Sequence, residues 1–151
     1  MQFDKTISGR VVTPLKVIDN GCIGIKSGKI AKVDKIKNFS LSINHSDFGN
    51  SFIFPGIIDG QTHSGSYLGF KGIESTSRSA ICGGITTIVD MPYDNPFPIT
   101  NIDLLREKIR AIKEFAICDI ALYGTVLPGE GISKVGRMID SGIVAIKVSS
   151  I

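Results

Sequence analysis

Few features of this sequence assign it quickly, and each scarcity rules something out. Only two histidines, His45 and His63, occur in 151 residues, so any imidazole chemistry rests on one of them. The three cysteines, Cys22, Cys82 and Cys118, are odd in number, far apart and set in apolar surroundings. That pattern excludes a disulfide frame or a zinc knuckle and reads as small buried hydrophobes in a reducing, cytoplasmic compartment. Net charge is only +3, with lysine and arginine scattered rather than clustered, which argues against nucleic acid or a membrane surface as a partner. No apolar run approaches the roughly 20 residues that cross a bilayer. Met1 to Lys5 lacks the apolar core of a signal peptide. What remains is ordinary globular composition, 42% hydrophobic and 21% charged, enough to bury a core.

Two patterns of organisation follow each other along the chain. Residues 1–50 are β-rich and read as a small β-sandwich-like lobe. Ile7 to Val12 and Leu15 to Ile18 are short β-branched runs, and Cys22 to Lys26 and Lys29 to Val33 flank Ser27-Gly28, a hairpin connection with glycine where positive φ is needed. Asn38 to Asn50 is polar and weakly periodic, so His45 is expected in a solvated loop. Ser51 to Asp59 reads as a buried strand bent at Pro55-Gly56, leading into Gly60-Gln61-Thr62-His63.

From there strands and helices alternate. Glu74 to Cys82 is expected as a helix stopped by Gly83-Gly84, and Ile85 to Met91 as a strand covered on both faces. Pro92 to Pro98 is a proline-rich loop. Thr100 or Asn101 then caps a helix with Leu105, Ile109, Ile112 and Phe115 inward and Arg106, Glu107, Lys108, Arg110 and Lys113 outside. Ile117 to Leu127 reads as a third strand. Ile132 to Ser141 reads as a helix with Val135, Met138 and Ile139 inward and Gly142 as its stop, and Ile143 to Val148 as a fourth strand. Four strands spaced by roughly 25 to 33 residues, with helices between them, predict successive βαβ units and a parallel sheet.

The stretch Pro55-Gly56-Ile57-Ile58-Asp59-Gly60-Gln61-Thr62-His63 resembles the first barrel strand of the cyclic amidohydrolases, the family of dihydroorotases, hydantoinases and allantoinases. Gly83-Gly84-Ile85-Thr86-Thr87, Met91-Pro92 and the Gly142-to-Lys147 spacing extend that resemblance over nearly the whole chain. It implies the first half, strands one to four, of a (β/α)8 TIM barrel. A complete barrel takes about 250 residues, more than this chain provides. Residues 51–151 are therefore expected to be the N-terminal part of a longer enzyme, inactive alone and prone to cover its open strand edges by association, as a homo-oligomer when full length.

The resemblance also implies the chemistry. Family members place two histidines of a His-x-His pair on a divalent metal, zinc for preference. Here the second is His63, and Gln61 stands where the first belongs. Lys147 matches the lysine that the family carboxylates to bridge two metal ions; read from the residues alone, it is instead a lysine snorkelling to solvent at a strand end. The implied reaction is metal-assisted opening of a cyclic amide, with a proton-transfer aspartate expected beyond Ile151. Asp94 and Asn95 are candidates for hydrogen-bonding the ring amide, although turn residues before Pro96 explain them as well. Dihydroorotases carry an arginine where this chain has Gly65 and an asparagine where it has Tyr93, which favours an allantoin- or hydantoin-type ureide as substrate. The rival reading is a catalytically dead dihydropyrimidinase-like binding or assembly protein, since neutral Gln61 is a poorer zinc ligand than imidazole.

Overall fold

A computed structural model describes residues 2–129 and 132–148. The chain divides into two compact units, Met1–Pro55 and Gly56–Ile151.

The first unit is one four-stranded sheet, built from β1 (Lys5–Val12), β2 (Val17–Lys26), β3 (Lys29–Lys35) and β4 (His45–Ile53) in the order β3-β2-β1-β4. No second sheet faces it within the unit among the described residues, which corrects the expected sandwich. Leu15 is not in a strand. Thr13 and Lys16 close a turn through Thr13 N–H to the Lys16 carbonyl, and Val17 and Ile18 open one long β2. The β2–β3 connection is the expected two-residue hairpin, with Ser27 and Gly28 both at positive φ (50° and 73°). That is the conformation whose twist matches the flanking strands.

His45 is the larger correction. It starts β4, which pairs parallel to β1 with His45 opposite Thr6 and Asp47 opposite Ser8. Both hydroxyls are buried and reach the ring, Thr6 Oγ1 at 2.9 Å from Nδ1 and Ser8 Oγ at 3.2 Å from Nε2. Polar residues here read as loop because their partners lie about forty positions upstream; in place, they are a cross-strand hydrogen-bond network.

The second unit is a parallel sheet in the order β5-β6-β7-β8: β5 (Ile57–Thr62), β6 (Ile85–Asp90), β7 (Asp119–Thr125) and β8 (Ala145–Lys147). Between them lie α1 (Gly72–Cys82), α2 (Ile102–Phe115) and α3 (Val135–Asp140). The strands lie in sequential order, α1 packs on α2 and α2 on α3, and α1 and α3 pack on β6 and β7, so the helices form one layer against the sheet. The expected βαβ succession is thus present. Gly83 and Gly84 end α1, Gly84 at φ 83°, and Asn101 caps α2 by accepting from Asp103 N–H and Leu104 N–H. Ile99, Leu105, Leu122, Met138 and Ile143 form the buried core between α2, α3 and β7.

One segment and several single residues depart from their expected places. Ser51 to Asp59 is not one strand. Proline and glycine at 55 and 56 end β4 and separate it from β5. Nor is β5 buried: it is an edge of its sheet, and Ile57 and Ile58 are 54% and 66% exposed. Cys82 and Ile139 are exposed on the outer sides of α1 and α3, whereas Cys22 is buried as expected. Lys108, assigned to the solvent side of α2, is fully buried. No helix of the described residues is long and apolar enough to cross a membrane.

Candidate functional site

Parallel α/β layers bring reactive groups together where strands end, on the carboxyl side. In this unit the segment after β5 carries His63, the segment after β6 carries Tyr93, Asp94 and Asn95, and β8 ends on Lys147.

The β5 and β6 ends are bonded residue by residue. Ser64 donates to Asp90 twice, through its backbone N–H (2.8 Å to Oδ1) and through its hydroxyl to Oδ2. The Gly65 carbonyl accepts from Asn95 N–H at 3.0 Å, and Ser66 donates its hydroxyl to the Tyr93 carbonyl at 2.8 Å. Glycine at 65 is required, because a Cβ there would fall inside the contact distance of Asp94 Oδ1.

Beneath this seam lies a buried ion cluster. Lys108 Nζ reaches across from α2 to Asp90 Oδ2 (2.8 Å), to Asp94 (2.8 Å to Oδ2, with the straighter hydrogen bond to Oδ1 at 3.0 Å) and to the Met91 carbonyl (3.2 Å). Its aliphatic stem packs on the inner face of α2, so a lysine at a core position of the stripe is tolerated because its ammonium has three acceptors. Two carboxylates share one ammonium. Burial pushes the Asp94 carboxyl above its ordinary range, the Lys108 charge and hydrogen bond pull it back down, and Asp90 adds to the rise.

The two candidates for ring recognition therefore differ. Asp94 is 6% exposed and faces Lys108, while the Asn95 side chain is exposed. Thr62 Oγ1 and Tyr93 Oη are buried without a partner among the described residues.

His63 and Gln61 are both exposed at the end of β5. His63 bonds through Nδ1 to Ser66 Oγ at 3.2 Å, and its Nε2 has no partner among the described residues. Lys147 is half-buried at the other edge of the sheet. At about 4.8 Å per strand, three spacings put it roughly 14 Å from the β5 end along a flat sheet. Among the described residues no group of three His, Cys, Asp or Glu side chains converges on one point. As donors, His63 Nε2 and the Gln61 amide oxygen suit a divalent cation in kind. Two neutral donors are short of the four that zinc takes, so they supply part of a shell.

Sequence reasoning missed Lys108, Asp90 and Ser64. A signal was present: Asp90 closes an apolar strand and Asp94 follows within four residues, and carboxylates at a buried strand end require a cation.

Fold and site together define a parallel α/β protein with ligand-type side chains at the carboxyl ends of its strands. No family model matches the chain. Curated relatives do. An allantoinase of Arabidopsis thaliana is 32% identical over 149 residues, covering 93% of this chain and 29% of that protein. An L-hydantoinase of Paenarthrobacter aurescens is 33% identical over 151 residues, covering 96% of this chain and 32% of that protein. Among solved structures, the L-hydantoinase (dihydropyrimidinase) from Arthrobacter aurescens superposes with a TM-score of 0.86 at 30% identity over 99% of this chain and 34% of that one. The chain belongs to the cyclic amidohydrolases and corresponds to an N-terminal portion of them. It spans about a third of the length of these relatives.

Proposed function

We propose that this chain is the first half of a (β/α)8 barrel and contributes to a metal-dependent hydrolase that opens cyclic amide or ureide rings of the allantoin or hydantoin type. The observation that carries the reading is the superposition on an L-hydantoinase over 99% of the chain; within the chain, His63 directly follows the first parallel strand. Exposed Ile57 and Ile58 on one edge strand and exposed Val144 and Val148 flanking the other support it, since both edges await further strands.

His63 and Gln61 would hold the cation at the β5 end, and Lys147, as its carbamate, would add the anionic donor these two lack. When bound, the cation lowers the pKa of its water and polarises the ring carbonyl. This chain's own residues orient and exclude. The Lys108 cluster fixes the loops after β5 and β6, and exposed Asn95 offers an amide to a ring N–H or C=O.

Gly65 sharpens the substrate class. In dihydroorotases an arginine at this place grips a carboxylate, whereas here Asp94 fills the space that any side chain at 65 would need. A neutral ureide suits the site better than a carboxylate-bearing ring.

The decisive experiment assays the chain and a longer protein containing it with allantoin, hydantoin and dihydroorotate, with zinc or manganese present. Ring opening of hydantoin or allantoin by the longer protein, lost in Lys147→Ala, is the expected result, with the 151-residue chain inactive. Metal-free, inactive protein in both forms, unchanged by Lys147→Ala, would overturn the reading in favour of a binding or assembly role.

A further inference from the structure

We propose that Ser66 is a positioning residue that holds the ring proton of His63 on Nδ1 and so presents Nε2 as the free lone pair. A serine hydroxyl has one hydrogen. Ser66 donates it to the Tyr93 carbonyl at 2.8 Å, so toward His63 Nδ1, 3.2 Å away, the same oxygen can only accept. Nδ1 must then carry the proton, and in a neutral ring Nε2 is left as the acceptor. Nothing among the described residues bonds that nitrogen. A free neutral histidine in water favours the opposite tautomer, with the proton on Nε2, so Ser66 works against the ring's own preference.

The contact is also built rather than incidental. Ser64, Gly65 and Ser66 each bond in turn to the segment from Asp90 to Asn95, and Asp90 is anchored on buried Lys108. The backbone carbonyl that takes the Ser66 proton is therefore fixed at the same seam that fixes Ser66. Resting on the amidohydrolase reading above, the ligand for Nε2 is a divalent cation, and Ser66 is its outer-shell support. Such supports set tautomer and ring orientation, and their loss weakens metal binding by about 10- to 100-fold.

Imidazole nitrogens can be read directly by long-range 1H–15N correlation spectra at a pH where both rings are neutral. The chain has two rings, and His63→Asn assigns them. The expected result is His63 in the Nδ1–H form, a shift toward Nε2–H in Ser66→Ala, and retention of Nδ1–H in Ser66→Thr, which keeps the hydroxyl. Finding His63 mainly Nε2–H in the unaltered chain overturns the proposal, as does a tautomer that Ser66→Ala leaves unmoved. The same samples titrated with zinc separate this proposal from the reading beneath it. If the tautomer is as expected and zinc shifts Nε2, with weaker binding by about tenfold in Ser66→Ala, both stand. If the tautomer is as expected and zinc touches neither ring, Ser66 keeps its role and the cation reading fails.

Discussion

The two compact units each hold one histidine and a set of acidic side chains, and they use them in opposite ways. In Met1–Pro55 both nitrogens of His45 are taken up by Thr6 and Ser8, and Ser8 passes its own hydrogen to Asp47. In Gly56–Ile151 the His63 ring has one partner and an open Nε2. The carboxylates differ in the same sense. Asp34, half-buried, and Asp47, exposed, accept backbone N–H groups from Lys35 and Gly49, whereas Asp90 and Asp94 are buried on one lysine. A polar side chain whose valences are all filled nearby is holding the fold, and one left open at a strand end is available to a ligand.

The strongest test of this contrast is the buried cluster. Lys108→Met keeps the volume of the stem but leaves two carboxylates without their cation. Breaking a buried pair from one side costs about 3–5 kcal/mol, so the Gly56–Ile151 unit is expected to lose cooperative unfolding in denaturant. A variant as stable as the parent would show that Asp90 and Asp94 find other partners and that Lys108 is dispensable.

The histidines give the next largest effect, and the two should respond unequally. His45→Leu strips Thr6 and Ser8, both buried, of a partner, at about 1–3 kcal/mol. His63→Ala removes an exposed ring and should stay within about 0.5 kcal/mol. Equilibrium denaturation of the pair measures both, and the reverse ranking would invert the assignment of structure to one ring and function to the other.

The sequence made the second unit more legible than the first, and the reason is the range of the interactions. Alternation of apolar strand and amphipathic helix is local, so β6, α1, α2 and β7 were readable within a few residues, as were the Asn101 cap and the Gly83-Gly84 stop. The His45 network joins positions 37 to 39 residues apart, and nothing around His45 itself announces Ser8 or Thr6. Lys108 failed for a different reason. A helical stripe counts lysine as polar, but four methylenes let it occupy a core position while its ammonium reaches the strand end. His63 was singled out through the motif around it, whereas its contact with Ser66, itself bonded to the Tyr93 carbonyl, is one that only the fold brings together.

Within the second unit, α1 and α2 offer a smaller comparison. Asn101 caps α2 with its side chain, while Lys71 gives α1 no side-chain cap. Asn101→Ala should therefore cost about 1 kcal/mol by thermal or chemical unfolding. An unchanged midpoint would mean that the helix start is held instead by burial of Ile99 and Leu105.

The smallest expected effect is a difference in the sign of pH dependence. Asp34 and Asp47 have folded pKa values below the ordinary range, first because backbone N–H groups of Lys35 and Gly49 bond the ionised form and then through Asn38 and Ser8. Each contributes stability that is present above the unfolded value of about 3.9 and is lost as pH falls through the lowered folded value. Asp94 runs the other way. Burial holds its proton on in the folded state beyond the pH at which the unfolded chain releases it, even against Lys108. Its contribution is complete below about 3.9 and disappears as pH rises through the raised folded value. Amide exchange read separately in β1 and β4 and in β6 and α2 should therefore show the first pair losing protection on acidification, and the second losing some as pH climbs above about 4. Asp47→Asn should flatten the first slope and Asp94→Asn the second, whatever either does to absolute stability. Parallel slopes in the two units, unaltered by Asp94→Asn, would mean that the Lys108 charge outweighs burial and that Asp94 is ionised throughout.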